Sequence, residues 1–125
     1  MQVVELQPYE VVRLDTERLD ALYRALGDGG GEAVLCTAME DLAHLLQEVK
    51  AAWLAADVTG VHLRSAEIAG IADRVGMVAL AQVASDVTGL CWWYQEAALA
   101  AAVARLQRLG EQSLLEVWYA EEQMM

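Results

Sequence analysis

Apolar residues recur three and four positions apart through most of this chain, and the interruptions between the runs are short. Leu19, Leu22 and Leu26 form the first run, with Asp15 or Thr16 able to cap it and Gly27 able to stop it. The next four residues, 28–31 (DGGG), read as a loop. Val34, Leu35, Ala38, Leu42, Leu45, Val49 and Ala52 predict a long helix over 32–56, followed by a turn over 57–60. Val61, Ile68, Ala72 and Val75, with Ile71 at the edge, predict a central helix closed by Gly76. Leu80, Val83, Ala84 and Val87 give the same signal over 77–92, and 92–95 turns the chain. Leu99, Val103, Leu106, Leu109 and Val117 complete the series over 96–120, where Gly110 is expected to be a kink or weak point. Residues 1–14 differ, because Val3, Val4, Val11 and Val12 favour extended backbone and Pro8 interrupts any helix. Short links between long helices make antiparallel neighbours. The expected fold is all-α: an up-and-down four-helix bundle over 15–125, with a short extra N-terminal helix and an extended arm over 1–14.

Composition agrees with that pattern. A chain of 125 residues makes one domain, and 57 % hydrophobic content, one Pro and no Phe suit closely packed Ala/Leu helices. No apolar run approaches the roughly 18 residues of a membrane span. The N-terminus lacks a basic stretch followed by an apolar block, which points to the cytoplasm. A net charge of −11 repels nucleic acid and anionic membrane surfaces and favours a basic or mixed-charge protein partner. Cys36 and Cys91 have no metal-ligand spacing, and their places on apolar faces predict buried thiols rather than a disulfide. The DGGG run lacks the Gly-Lys-Ser/Thr sequel of a phosphate loop. No cofactor or metal is expected.

The outward side of the central helix is unusual. His62, Ala66, Ala69, Gly70 and Asp73 share it, where Lys, Glu and Gln would be ordinary. A mid-helix Gly costs about 1 kcal/mol relative to Ala, so Gly70 suggests close approach by another molecule. Ile68, Gly70, Ala72, Gly76 and Leu80 stand at the spacing found on the second bundle helix of histidine-containing phosphotransfer (HPt) domains, which this segment resembles. The likeness extends over roughly 15–120: Leu26 to Gly31 (LGDGGG) echoes the turn after the family's first helix, and Ala55-Ala56-Asp57 echoes the turn before its histidine helix. The register puts Ala66 where the family carries its phosphorylated His, and Ala69 where it carries Lys.

The resemblance implies a two-component signalling module that binds a receiver domain or a histidine kinase. Ala66 cannot accept a phosphoryl group, and Ala69 cannot neutralise one. The implied function is therefore docking without phosphate. An alternative is phosphotransfer through His62, one turn earlier on the same face, although Ser65 stands where a Lys would help; the plain reading of His62 is a solvent-exposed side chain. Arg64 falls toward the inward edge and must snorkel outward. His44, with Asp41 three residues before it, resembles half of a di-iron motif, but no second half is visible, and a surface His is expected.

Trp92, Trp93 and Tyr94 in succession cannot all be buried on one helix face, and Trp118 and Tyr119 repeat the pattern. Either these aromatics cap the bundle ends against the arm, or Trp92, Trp93 and Trp118 form a homodimer or partner interface. A homodimeric helical protein unrelated to phosphorelay is the third functional expectation.

Overall fold

The computed structural model describes residues 14–93 and 95–123, so the expected arm, apart from Leu14, and Tyr94 lie outside the described residues. The described residues are all-helical: α1 (Thr16–Leu54), α2 (Val58–Arg74), α3 (Val78–Trp93) and α4 (Glu96–Gln123). Each helix packs on its sequence neighbour, and α4 returns to pack on α1, which closes a ring around one core.

α1 begins with a limb over 16–26. Asp15 caps it by accepting from the Arg18 backbone N–H at 3.2 Å. Gly27, at φ 75° and ψ 169°, breaks the helical path and separates limb 16–26 from limb 28–54. The expected loop over 28–31 is instead helical. Packing explains this correction: a Cβ at Gly31 would lie 2.6 Å from Tyr23 Cδ1 and 2.9 Å from Tyr23 Cα. The missing side chain lets the second limb begin against the first. Leu26 and Val34, expected inward, are both exposed. The break at Gly27 resets the helical phase, and Val34 lies off the Leu35–Ala38–Leu42 line that reaches the core.

α1 and α2 end with the same device. At the end of α1, Asp57 N–H donates to Ala52 O at 2.8 Å and Ala56 N–H to Trp53 O at 3.1 Å, with Ala56 at φ 56°. At the end of α2, Met77 N–H donates to Ala72 O at 2.9 Å and Gly76 N–H to Asp73 O at 3.3 Å, with Gly76 at φ 79°. These paired bonds satisfy carbonyls that a helix end leaves bare. The Asp57 side chain then accepts from Gly60 N–H at 2.9 Å, which starts α2 at Val58 and makes 58–60 helix rather than turn.

Val61, Ile68, Ala72 and Val75 are buried as expected, as are Leu80, Val83, Ala84 and Val87 on α3 and Leu99, Val103, Leu106, Leu109 and Val117 on α4. α4 runs as one continuous helix through Gly110. That residue is buried where the helix crosses α1, and a Cβ there would come within 2.5 Å of Leu46 Cδ1. Cys36 is exposed and Cys91 half-buried, contrary to the expected burial of both, and they form no disulfide. Burial raises the Cys91 thiol pKa above its ordinary value. Among the described residues, no helix is long and apolar enough to cross a membrane.

Candidate functional site

The outer face of α2 is built by the helix's own periodicity. With Val61, Ile68 and Ala72 in the core, Ala66, Gly70 and Asp73 are turned outward and are exposed. Ala69 is half-buried at the border with α3. A Cβ at Gly70 would meet nothing within 4 Å, so the middle of the face is open. Exposed Leu63 extends it toward the helix start.

His62 is not the solvent-exposed side chain expected from the wheel. It is half-buried at the α2–α3 border, with Nδ1 3.3 Å from the Thr88 carbonyl oxygen and its ring edge-on to Trp92 at 5.4 Å between centroids. A carbonyl oxygen only accepts, so this contact places the proton on Nδ1 and leaves Nε2 with the lone pair in the neutral ring. Thr88 is held in turn. Its hydroxyl donates to Ala84 O at 2.9 Å and lies 2.8 Å from Ser65 Oγ, which is 3.1 Å from His62 O. Ser65 is fully buried, although it is not among the apolar residues that mark the inward stripe. Its place between Val61 and Ile68 on the inward side is visible in the spacing, but its α3 partner is not.

Ion pairs frame the face along its α1 flank and at its far end. On the α1 side, Arg64 Nε lies 2.6 Å from Glu48 Oε2 and Arg64 Nη1 3.0 Å from Glu67 Oε1. Glu48 also takes His44 Nε2 at 2.6 Å, so His44 is an exposed residue paired within its own helix. Arg64 snorkels outward as expected. At the far end, Arg18 Nη1 pairs with Asp73 Oδ1 at 2.8 Å and also donates to the Asp73 carbonyl. The hydrogen bond and charge of Asp73, with a smaller contribution from Asp15, raise the Arg18 pKa. The first limb is fastened there by its backbone too, through the Leu14–Met77 bridge and Asp15 N–H to Gly76 O at 2.7 Å. Asp73 is thus engaged within the chain while Ala66 and Gly70 are open. Arg18 lies 55 residues away in sequence, and no local pattern announces it.

The exposed aromatics divide. Trp92 and Trp93 are exposed at the end of α3, whereas Trp118 and Tyr119 are exposed far along α4. At 1.5 Å rise per residue, Trp118 lies about 33 Å along the helix from Glu96. The three tryptophans therefore do not make one patch. Among the described residues, no group of three His, Cys, Asp or Glu side chains is placed to hold a metal ion. No protein-family model matches the chain, and neither a curated protein nor a solved structure matches it.

Proposed function

We propose that this chain is a degenerate HPt-like module: an antiparallel up-and-down four-helix bundle, acting in the cytoplasm, that binds a receiver or kinase domain without carrying phosphate. The supporting observation is the outer face of α2, where Ala66 and Gly70 are uncovered above a fully buried Ile68 and Ala72. A mid-helix glycine with open space over it favours a surface meant for close approach. Ala66 and Ala69 leave that surface without a nucleophile or a phosphate-neutralising cation. Such a module acts as a decoy, brake or scaffold in two-component signalling.

The test is binding to a panel of receiver domains by calorimetry, with intact mass to follow phosphate. Binding with no mass gain is expected. Gly70→Gln should weaken it at least about 10-fold, since a side chain in the centre of a docked surface costs more than about 1.4 kcal/mol. Ala66→His combined with Ala69→Lys should then gain acid-labile phosphate from a phosphorylated receiver. Failure of every receiver to bind the folded protein would refute the reading.

His62 supports a second reading, because its Nδ1 contact to Thr88 O leaves Nε2 as the nucleophilic nitrogen. In that reading the P–O bond of a receiver's aspartyl phosphate breaks, an N–P bond forms at Nε2, and the aspartate carboxylate is regenerated. The half-buried ring against Trp92, and Ser65 rather than Lys three residues on, make it the weaker of the two. Phosphate gain by the natural sequence, abolished in His62→Gln, would establish it over docking alone.

A further inference from the structure

The first limb of α1 is joined to the other helices by a hinge at one end and a catch at the other. From 14 to 27 every residue is exposed or half-buried, so the limb sends no side chain fully into the core. The hinge is Gly27, whose φ of 75° and ψ of 169° suit glycine alone. Gly29, Gly30 and Gly31 follow it, and each favours helix about 5-fold less than alanine would, so 27–31 unwinds readily. At the catch, Leu14 bridges Met77, Asp15 N–H donates to Gly76 O at 2.7 Å, and exposed Arg18 pairs with Asp73. Between hinge and catch the limb spans a gap. Leu22 faces Val34, Ala38, Ile71 and Val75 across a cleft of about 400 Å³. Such a gap forfeits dispersion contacts that would hold the limb down. Leu19 and Tyr23 make the closer apolar contacts, and Tyr23 does so where Gly31 leaves room for it.

We propose that limb 16–26 is a hinged lid over the far end of α2, which opens as a unit about 27–31 while the remaining helices stay packed. The core permits that separation. Leu35, Leu42, Leu45, Leu46 and Val49 bury the second limb of α1 without help from the first. Opening frees the Asp73 carboxylate and uncovers Ile71 and Val75 at the same end of α2. The closed lid withholds an acid and an apolar strip from a molecule approaching that end, and Arg18 is the group an incoming cation must displace. The opening is a property of the chain alone and stands apart from the signalling reading.

Hydrogen exchange of the full chain, read by mass spectrometry at several urea concentrations below the unfolding transition, is the test. Amides of 16–26 are expected to exchange together, at least about 100-fold faster than those of 42–49. Their rate should depend only weakly on urea, because a local opening exposes little surface. Gly31→Ala places a Cβ 2.6 Å from Tyr23 Cδ1 and 2.9 Å from Tyr23 Cα, which the limb relieves by lifting. It should speed exchange over 16–26 at least about 10-fold and leave 42–49 unchanged or slower, since alanine strengthens the helix it enters. Gly29→Ala, whose Cβ meets nothing within 4 Å, should not speed the limb. Asp73→Ala removes the side-chain part of the catch and should speed it about 2- to 5-fold. Exchange of 16–26 and 42–49 through one common, urea-dependent step would overturn the proposal. So would limb amides exchanging as fast as an unstructured chain, because no closed lid then exists. A Gly31→Ala chain whose limb is unchanged, or whose two stretches speed up equally, would overturn it as well.

Discussion

Two glycines six positions apart should answer the same substitution with opposite signs. Gly70 is mid-helix on the exposed face of α2, and an added Cβ meets nothing within 4 Å. Gly70→Ala therefore gains helix propensity and loses no contact, worth about 0.5–1 kcal/mol. Gly76 sits at φ 79°, where an added Cβ would lie 2.7 Å from the Asp15 carbonyl oxygen. Left-handed backbone costs Ala about 1–2 kcal/mol, and relieving a backbone clash means loosening the Asp15 N–H to Gly76 O bond, worth about 1 kcal/mol more. Gly76→Ala should lose roughly 2–3 kcal/mol in all. With an unfolding entropy of about 2.1 cal/mol/K per residue, the 125-residue chain converts 1 kcal/mol into roughly 4 °C. Gly70→Ala should raise Tm by about 2–4 °C, and Gly76→Ala should lower it by about 8–12 °C. Urea titration at constant m checks that the native state, not the compactness of the unfolded one, has changed. A destabilised Gly70→Ala would mean that the face is covered, and the docking surface would go with it. A neutral Gly76→Ala would mean that the strap joining the first limb to the α2–α3 corner does not form.

Other substitutions probe the rest of the fold and the site. Ala56→Gly should stabilise by up to about 1 kcal/mol, because Ala56 holds φ 56° at the end of α1 where glycine is relieved of strain; a lower urea midpoint would contradict that geometry. Arg18→Ala should leave the global midpoint nearly unchanged while speeding amide exchange over 16–26, since its exposed pairing with Asp73 fastens the first limb locally. Exchange unaltered there would show that the pair secures nothing. Burial raises the Cys91 thiol pKa above 9.0, so the unfolded thiol ionises first as pH rises. The Cys91 contribution to stability is thus fully present below about pH 9 and declines as pH climbs through the folded pKa, a decline that Cys91→Ala should remove. Alkylation at pH 8 should accordingly modify exposed Cys36 before Cys91, and the reverse order would refute the assigned burial.

Spacing alone determined most of the residues that enter the core, with Leu26 and Val34 the exceptions. Val61, Ile68, Leu80, Val87, Leu99 and Leu106 are buried because a 3.6-residue repeat leaves an apolar stripe only one place to go. It also determined that Ala66 and Gly70 face outward, since they lie opposite that stripe on the same helix. Tertiary structure decided what a one-dimensional pattern does not contain. Gly31 reads in isolation as loop and Gly110 as a weak point in its helix, yet both sit inside helix where Tyr23 and Leu46 occupy the space a side chain would need. His62 faces outward by its angle on the helix but is drawn to the α2–α3 border by Thr88 and Trp92, which lie on the next element. Arg18 reaches Asp73 only because Gly76 turns the chain tightly enough for Asp15 to pair with it. Periodicity records which way each residue points along one helix; the partner it meets depends on how the helices close on one another, and that is a property of the packed whole.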